Sequence, residues 1–401
     1  MPIYFLLIRL AALFGHRKAR LLVEGQKTAK ACLASMSESS QHPIWFHAAS
    51  VGEFEQARPI IEKLVESRKS KVKILVTFFS PSGYELRKDY PLADQVMYLP
   101  FATRRNAKRF LDAVQPAMAI FVKYEFWPAY LRQLRKRNIP TYLVSGIFQP
   151  KQLFFRPWGI GYRQLLKCFT QLFVQDNASA ELLNKYGISN VTVAGDTRFD
   201  RVSQIAQQAK DIPAVEQFVQ PAGTQVIVAG STWLPDEELL ARYLKEHENV
   251  KLILAPHEIH EAHLHAIFNL FEGRYVRFTE ATPLNLRHVR VLVIDTIGLL
   301  SSIYRYGQVA YVGGGFGVGI HNTLEPAVYG MPVLFGPNHK QFREAVNLVA
   351  CGAGLPVSKY ADFARKMDLA LANHTELGAK AKEYIASELG ATERILNNLT
   401  I

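Results

Sequence analysis

The sequence predicts an α/β chain of two doubly wound domains, each a parallel sheet with helices on both faces. Three observations predict it. At 401 residues the chain exceeds what one hydrophobic core supports, so two cores are expected. Short β-rich runs alternate with amphipathic stretches, the βαβα order that yields parallel strands. The alternation breaks once, over 201–224, where Gln204, Gln207, Gln208, Gln217 and Gln220 join Pro213 and Pro221, and then it resumes. Residues 206–223 therefore read as a linker between domains at 21–205 and 224–401.

In the first half, strands are expected at 44–48, 73–78, 95–99, 117–122, 141–145, 172–175 and 191–194. The helix at 51–66 has the clearest pattern, with Val51, Phe54, Ala57, Ile60, Ile61, Leu64 and Val65 on one face. Further helices are expected at 104–113, 128–137 and 152–167. The second half offers strands at 225–229, 251–254, 289–294, 309–312 and 332–335. Its helices are expected at 236–247, 258–271, 298–306, 324–329 and 341–351, with helical sequence from 358 to 399. Ligands of open α/β sheets bind beyond the carboxyl ends of the strands. A cleft between the domains is thus the expected site, lined by residues that directly follow strands.

A hydrophobic content of 49% places the chain among globular proteins. Lys and Arg number 47 against 35 Asp and Glu, a net charge of +12 that favours anionic partners. Cys32, Cys168 and Cys351 are odd in number and far apart, which excludes a disulfide framework and a thiolate zinc site. Residues 2–14 are apolar apart from Arg9, and His16, Arg17, Lys18 and Arg20 follow at once. About 20 Å of helix falls short of the roughly 30 Å hydrocarbon core, and a signal peptide carries its basic residues on the other side. The expectation is a helix lying in the membrane interface with its basic end on anionic headgroups. An ordinary core helix is the competing reading.

The residues after the strands carry the chemistry. Ala49-Ser50-Val51-Gly52-Glu53 follows the first strand, Gly52 keeping the turn open. Glu53 reads either as a general base for an acceptor hydroxyl or as the acid of a Ser-x-x-Glu capping box. A helix N-terminus would lower its pKa and weaken it as a base. Lys123-Tyr124-Glu125-Phe126-Trp127-Pro128 follows another apolar strand. There Glu125 reads as a ligand for acceptor hydroxyls or as a scaffold acid, and Lys123 as a contact for an anion. In the second half, Gly230-Ser231-Thr232 offers hydroxyls and N–H groups to a phosphate. Pro256-His257-Glu258 and Asp295-Thr296-Ile297-Gly298 follow the next strands. The run 312–336, VGGGFGVGIHNTLEPAVYGMPVLFG, is a glycine loop, a His321-Asn322 pair and a helix opening at Leu324-Glu325-Pro326. It reads as a phosphate or nucleotide cradle, with Glu325 suited to a ribose hydroxyl because a carboxylate repels phosphate. The glycines make no GxGxxG, and GxxxxGK[ST], HExxH and GxSxG are all missing. His257, His260, His263 and His265 therefore read as a solvated helix face, and no metal site is expected.

Taken together these segments resemble the 3-deoxy-D-manno-octulosonic acid (Kdo) transferases of lipopolysaccharide biosynthesis. The resemblance rests on 47–53 (HAASVGE), 77–83, Tyr124-Glu125-Phe126-Trp127-Pro128 and Gly195-Asp196-Thr197-Arg198-Phe199-Asp200. In the second half it rests on Gly230-Ser231-Thr232, Asp295-Thr296-Ile297-Gly298, Gly313-Gly314 and His321-Asn322-x-Leu324-Glu325-Pro326-Ala327. It implies a GT-B fold of two Rossmann-like domains facing across a cleft, with a short N-terminal membrane-associating helix. The implied reaction is metal-independent, inverting transfer of Kdo from CMP-Kdo to a lipid A precursor, without a cofactor or nucleic acid. The implied place is the cytoplasmic face of the bacterial inner membrane, on its anionic surface. Glu53 falls on the family's catalytic base and Glu125 on a second functional acid, with Ser50, Gly52 and Lys123 on the acceptor side. Ser231, Thr232, His257, Thr296, Gly298, Gly314, Asn322 and Glu325 fall on the donor side. Lys123 stands where many members carry an acid, and Ser145-Gly146-Ile147-Phe148 where many carry Asn-x-Arg, so the acceptor details are open. Two rivals remain at this stage: a nucleotide-sugar 2-epimerase of the same architecture and a non-catalytic binder of anionic lipid.

Overall fold

A computed structural model describes residues 2–36, 42–67, 72–220, 223–317 and 319–400. Parts of the polar stretch at 35–42 and of the expected linker lie outside them. The chain forms two compact units, Met1–Arg201 with Leu389–Ile401, and Val202–Glu388.

The first unit holds seven parallel strands: β1 (Ile44–Ala48), β2 (Ile74–Phe78), β3 (Gln95–Tyr98), β4 (Met118–Val122), β5 (Thr141–Gly146), β6 (Gln171–Val174) and β7 (Val191–Val193). Their order is β3-β2-β1-β4-β5-β6-β7, so the winding reverses between β1 and β4. Every strand was expected. Side chains alternate across the sheet with the strand period of two. Trp45, Leu75, Phe121 and Leu143 enter one core, while Phe46, Val76, Ile120 and Val144 enter the other. The second core is closed by Phe54, Ala57, Ile60, Ile61 and Leu64 of the helix Val51–Ser67, the face expected from its periodicity.

The second unit repeats the plan with β8 (Gln225–Thr232), β9 (Val250–Pro256), β10 (Tyr275–Arg277), β11 (Val291–Val293), β12 (Val309–Val312), β13 (Val333–Phe335) and β14 (Gly354–Pro356). The order is β10-β11-β9-β8-β12-β13-β14, with its reversal between β8 and β12. Strands β10 and β14 were not expected. Each is three residues long at a sheet edge, too short to show a period.

The domain boundaries differ from the expected ones in two ways. The stretch read as a linker carries the helices Thr197–Gln207 and Pro213–Phe218. The second of these is tied into the second unit by a bond from Ile212 N to Tyr306 Oη at 2.8 Å and by the buried Val215 and Phe218. At the other end, the final helix Ala391–Leu396 returns to the first unit. Asp200 holds it there, accepting from Gly390 N at 2.7 Å, Thr392 N at 2.7 Å and Thr392 Oγ1 at 2.6 Å. Ile395 then enters the core beside β1. Asp200→Ala removes this cap and is expected to cost about 1–2 kcal/mol, read as a lower denaturation midpoint of the first unit. An unchanged midpoint would show that Ile395 alone holds the tail.

At the N-terminus, the helix Pro2–Leu13 packs one side onto the sheet through Phe5, whose ring stacks on Phe101 at 4.6 Å. Its other side is apolar and exposed, at Leu6, Leu7, Leu10 and Leu13, with Phe14 beyond. No helix among the described residues is long and apolar enough to cross a membrane. The helices Pro2–Leu13, Arg17–Met36, Arg104–Val114 and Pro128–Lys136 and the segment 151–168 place residues in one core, on one face of the sheet. With Arg137 they carry eighteen Lys and Arg against two acids, Glu24 and Asp112. That local excess of sixteen exceeds the +12 of the whole chain, so the remainder is net acidic.

Candidate functional site

Both constellations lie where their sheet reverses direction, the place where open α/β sheets bind ligands. In the first unit, β1 leads into Ala49–Glu53 and β4 into Lys123–Trp127. Glu53 closes a capping box: its Oε2 accepts from Ala49 N at 2.6 Å and Ser50 N at 3.3 Å, while Ser50 Oγ accepts from Glu53 N at 3.4 Å. The cap does pull its pKa down, as expected, but the net shift is upward. Burial and the neighbouring Glu125 carboxylate raise it, outweighing the Ala49 N–H, His47 and Lys123. The cap therefore positions a carboxyl whose proton affinity is above that of an ordinary glutamate, as a base needs. Gly52, exposed beside it, has open space where a Cβ would stand.

Glu125 is held by groups that sequence reasoning did not assign. Trp45 Nε1 donates to Thr77 Oγ1 at 2.8 Å, and Thr77 Oγ1 lies 2.8 Å from His47 Nδ1. An indole N–H can only donate, so the threonine oxygen accepts there, and His47 Nδ1 also lies 3.1 Å from the Thr77 carbonyl oxygen. His47 Nε2 lies 3.1 Å from Glu125 Oε2 and 3.0 Å from Trp127 Nε1, and Glu125 Oε2 accepts from Trp127 Nε1 at 2.6 Å. One Glu125 oxygen is thus held between the Trp127 indole N–H and the His47 imidazole. Lys123 adopts a left-handed backbone at φ 55°, uncommon for a side chain with a Cβ, and its charge acts on Glu53. The expected catalytic and acceptor-side residues Ser50, Gly52, Glu53, Lys123 and Glu125 accordingly share one strand-end cluster.

In the second unit the site is assembled differently from the expectation. Ser231 is an extra residue at φ 54°, forming a bulge in the β8–β9 pairing. The bulge turns the next side chain inward. Thr232 Oγ1 is buried and donates to Glu237 Oε1 at 2.9 Å, so it is not offered to a ligand. Glu237 is also buried, lies 3.1 Å from His263 Nε2, and has its pKa raised chiefly by burial.

The glycine loop is also not an open cradle of N–H groups. Gly313 N donates to Gly230 O at 2.9 Å, Gly314 N to Asp236 Oδ2 at 3.0 Å, and Gly317 N to Gly314 O at 3.0 Å. Its glycines serve close packing: a Cβ at Gly313 would stand 2.4 Å from Ser231 O, and one at Gly315 2.6 Å from Gly336 Cα. Gly314 itself needs φ 88°. The helix after the loop is a single turn, Leu324–Ala327, too short for an appreciable dipole.

What the loop presents is aromatic. Trp233 stacks on His257 at 4.7 Å, and His257 on His321 at 4.4 Å. Trp233 Nε1 donates to His321 Nε2 at 3.4 Å, and burial with the neighbouring His257 pushes the His321 pKa down to about 4. His321 is therefore neutral near pH 7 and serves as a flat hydrogen-bonding surface rather than a cation. Asn322 Oδ1 accepts from Leu324 N at 3.1 Å, and its amide donates to Glu325 Oε1 at 3.0 Å. The expected Asn-x-x-Glu cap is thus partly a side-chain pair. Thr296 Oγ1 is buried without a partner, and Gly298 is exposed at φ 95°. The histidines do not converge on a metal. His260 pairs with Glu258 and His263 with Glu237, and no group of three or more ligating side chains occurs among the described residues.

Residues 18–201 match the family profile described as 3-deoxy-D-manno-octulosonic-acid transferase (kdotransferase). The 3-deoxy-D-manno-octulosonic acid transferase of Aquifex aeolicus is 29% identical over 348 residues, covering 84% of this chain and 89% of the relative. That of Bordetella pertussis is 28% identical over 381 residues, covering 89% and 86%. Among solved structures, the UDP-GlcNAc 2-epimerase of Neisseria meningitidis superposes with a TM-score of 0.63 at 15% identity. That likeness covers 88% of this chain and 98% of the epimerase, and it speaks to the fold alone: the GT-B architecture of two Rossmann-like domains. Residues 18–201 thus match the 3-deoxy-D-manno-octulosonic acid transferase profile, and the chain is similar along most of its length to curated glycosyltransferases of that family.

Proposed function

We propose that the protein moves Kdo from CMP-Kdo to a hydroxyl of a lipid A precursor, lipid IVA, with inversion and without a metal. The observation that carries this reading is Glu53: a capped carboxyl at the reversal of the first sheet, its proton affinity raised by burial and Glu125. Glu53 accepts the proton of the acceptor hydroxyl as that oxygen bonds to the anomeric carbon of Kdo. The bond from that carbon to the CMP phosphate oxygen breaks with its electron pair, and CMP leaves. Glu125, fixed by His47 and Trp127, holds acceptor hydroxyls beside Glu53. Ser50, Gly52 and Lys123 border the acceptor. In the second unit, the Trp233–His257–His321 stack supports the cytosine, Glu325 takes a ribose hydroxyl, and Ser231, Thr296, Gly298, Gly314 and Asn322 surround the phosphate and sugar. Thr232 acts through the backbone, where its carbonyl accepts from His257 N at 2.9 Å.

A calorimetric titration distinguishes this donor from the uridine nucleotide of the fold neighbour. CMP is expected to bind and UDP to bind far more weakly; the reverse order would reject the assignment.

The same reading places the protein on the cytoplasmic face of the bacterial inner membrane, away from nucleic acid. The exposed apolar side of Pro2–Leu13 and the basic layer around it suit an anionic bilayer surface. Deleting residues 2–14 is expected to weaken sedimentation with anionic liposomes about tenfold or more. Undiminished binding would mean the helix is not an anchor.

A further inference from the structure

The segment 151–163 has an outward apolar surface that packing does not explain. It forms two short 3-10 turns, Leu153–Phe155 and Pro157–Gly159, before the helix Ile160–Leu166. Phe154 and Phe155 point inward, Phe154 meeting Phe126 at 4.7 Å and Phe155 meeting Tyr186 at 5.1 Å. The fold-back is tight: Arg163 Nε donates to Phe154 O at 2.8 Å, Tyr186 Oη to Phe155 O at 3.1 Å, and Gly159 N to Arg156 O at 2.9 Å. A Cβ at Gly159 would stand 1.7 Å from Leu153 O. The segment is therefore braced, and its bracing turns Trp158 (74% exposed), Ile160 (59%), Leu153 and Tyr162 into solvent. Exposing a tryptophan and an isoleucine side by side costs solubility unless something covers them.

Charge and position say what covers them. Lys151 and Arg156 lie exposed within the segment, which carries no acid and belongs to the basic face described above. An exposed tryptophan flanked by basic side chains is the composition that settles at a headgroup boundary. Aromatic contacts also link this segment to the N-terminal helix. Phe154 touches Phe126, whose neighbour Trp127 lies 6.4 Å from Phe5 and 4.9 Å from Phe79, which in turn faces Tyr4 at 6.3 Å. Between the two apolar elements stands the strand end that carries Glu125.

We infer that the segment 151–163 is a second membrane-contacting element, seating Trp158 and Ile160 in the headgroup region of an anionic phospholipid bilayer. This rests on the membrane-surface reading above and not on the transfer chemistry. Two contacts on either side of one strand end fix the orientation of the first unit, where one helix alone leaves it free to pivot. An acceptor anchored in that bilayer then meets the Glu53–Glu125 cluster from one direction.

Trp158 supplies its own probe, because Trp45 and Trp127 are buried and Trp233 is half-buried against His257. The full chain is mixed with vesicles of phosphatidylethanolamine and phosphatidylglycerol whose acyl chains are brominated near the headgroup. The expected result is a blue shift and quenching of the emission, absent from Trp158→Phe and reduced by salt. The double variant W158S/I160S is expected to bind these vesicles about tenfold more weakly, with CMP affinity unchanged. Sedimentation with the vesicles but no change in Trp158 emission would overturn the inference and leave the N-terminal anchor standing. Quenching that appears only when a lipid A precursor is added would also overturn it, since the surface would then hold acceptor chains. Failure to sediment at all would reject the membrane reading itself. None of these outcomes depends on whether Kdo is transferred.

Discussion

Glu53→Gln is expected to lower turnover about 10²–10⁴-fold, the loss for removal of a general base, while CMP affinity stays at the wild-type value. Gln keeps the side-chain oxygen that caps the helix, so the Ala49 N–H remains satisfied and folding is preserved. Only proton acceptance is lost. Retained turnover would remove Glu53 from the base role. The pH profile is a second readout. A base works deprotonated, so kcat/KM rises with pH through the Glu53 pKa, and the acid limb lies above the ordinary glutamate range. The Glu125 charge is one cause of that elevation. In Glu125→Gln the charge is gone, the ionised form of Glu53 is less disfavoured, and the acid limb of the residual activity moves to lower pH. An acid limb that stays in place or moves up would contradict the coupling.

Asp236→Ala is expected to produce the largest stability loss in the second unit. Its buried carboxylate accepts from Tyr311 Oη at 2.6 Å, Trp233 N at 2.9 Å and Gly314 N at 3.0 Å. Truncation leaves three donors around a void, and each unsatisfied buried group costs about 1–3 kcal/mol. A total of about 3–5 kcal/mol is expected, read as a lower denaturation midpoint with the first unit unaffected. CMP binding falls as well, because the same carboxylate joins β8, β12 and the glycine loop. Burial raises its pKa, so its folded-state value lies above the unfolded one. Its titration therefore favours the folded state below the ordinary aspartate pKa, and that contribution is lost as pH rises through the folded value. A variant with wild-type stability would show that the loop is held by glycine packing alone.

How much of this could be read from the residues depended on distance along the chain. The strands of both sheet centres announced themselves as apolar runs buried on two faces. The helix Arg17–Met36 did not, because it buries small residues, Ala19, Gly25 and Ala29 with Leu22, and so carries little hydrophobic contrast. The helix expected at 152–167 proved to be two turns and a shorter helix, since Pro157 and Gly159 interrupt it. Within the site, the Glu53 cap spans four residues and was visible as a spacing. The Trp45–Thr77–His47–Glu125–Trp127 network joins residues that come together only through the β1–β2 and β1–β4 pairings, and no spacing encodes it. Asp236 sits in a Leu-Pro-Asp-Glu-Glu run that reads as the charged first turn of a surface helix. Only the Ser231 bulge and the Tyr311 hydroxyl reveal it as a buried strut. The glycine loop is visible in the sequence, where it reads as backbone approaching a ligand, whereas its glycines pack against Ser231 and Gly336 and the amides named above bond within the protein.

The central claim is tested most directly by incubating the protein with CMP-Kdo and a tetraacylated lipid A precursor and weighing the lipid by mass spectrometry. The expected result is a mass gain of whole Kdo units, matched by release of CMP and missing from the Glu53→Gln variant. An unchanged lipid mass with intact CMP-Kdo, under conditions where CMP binds, would contradict the account.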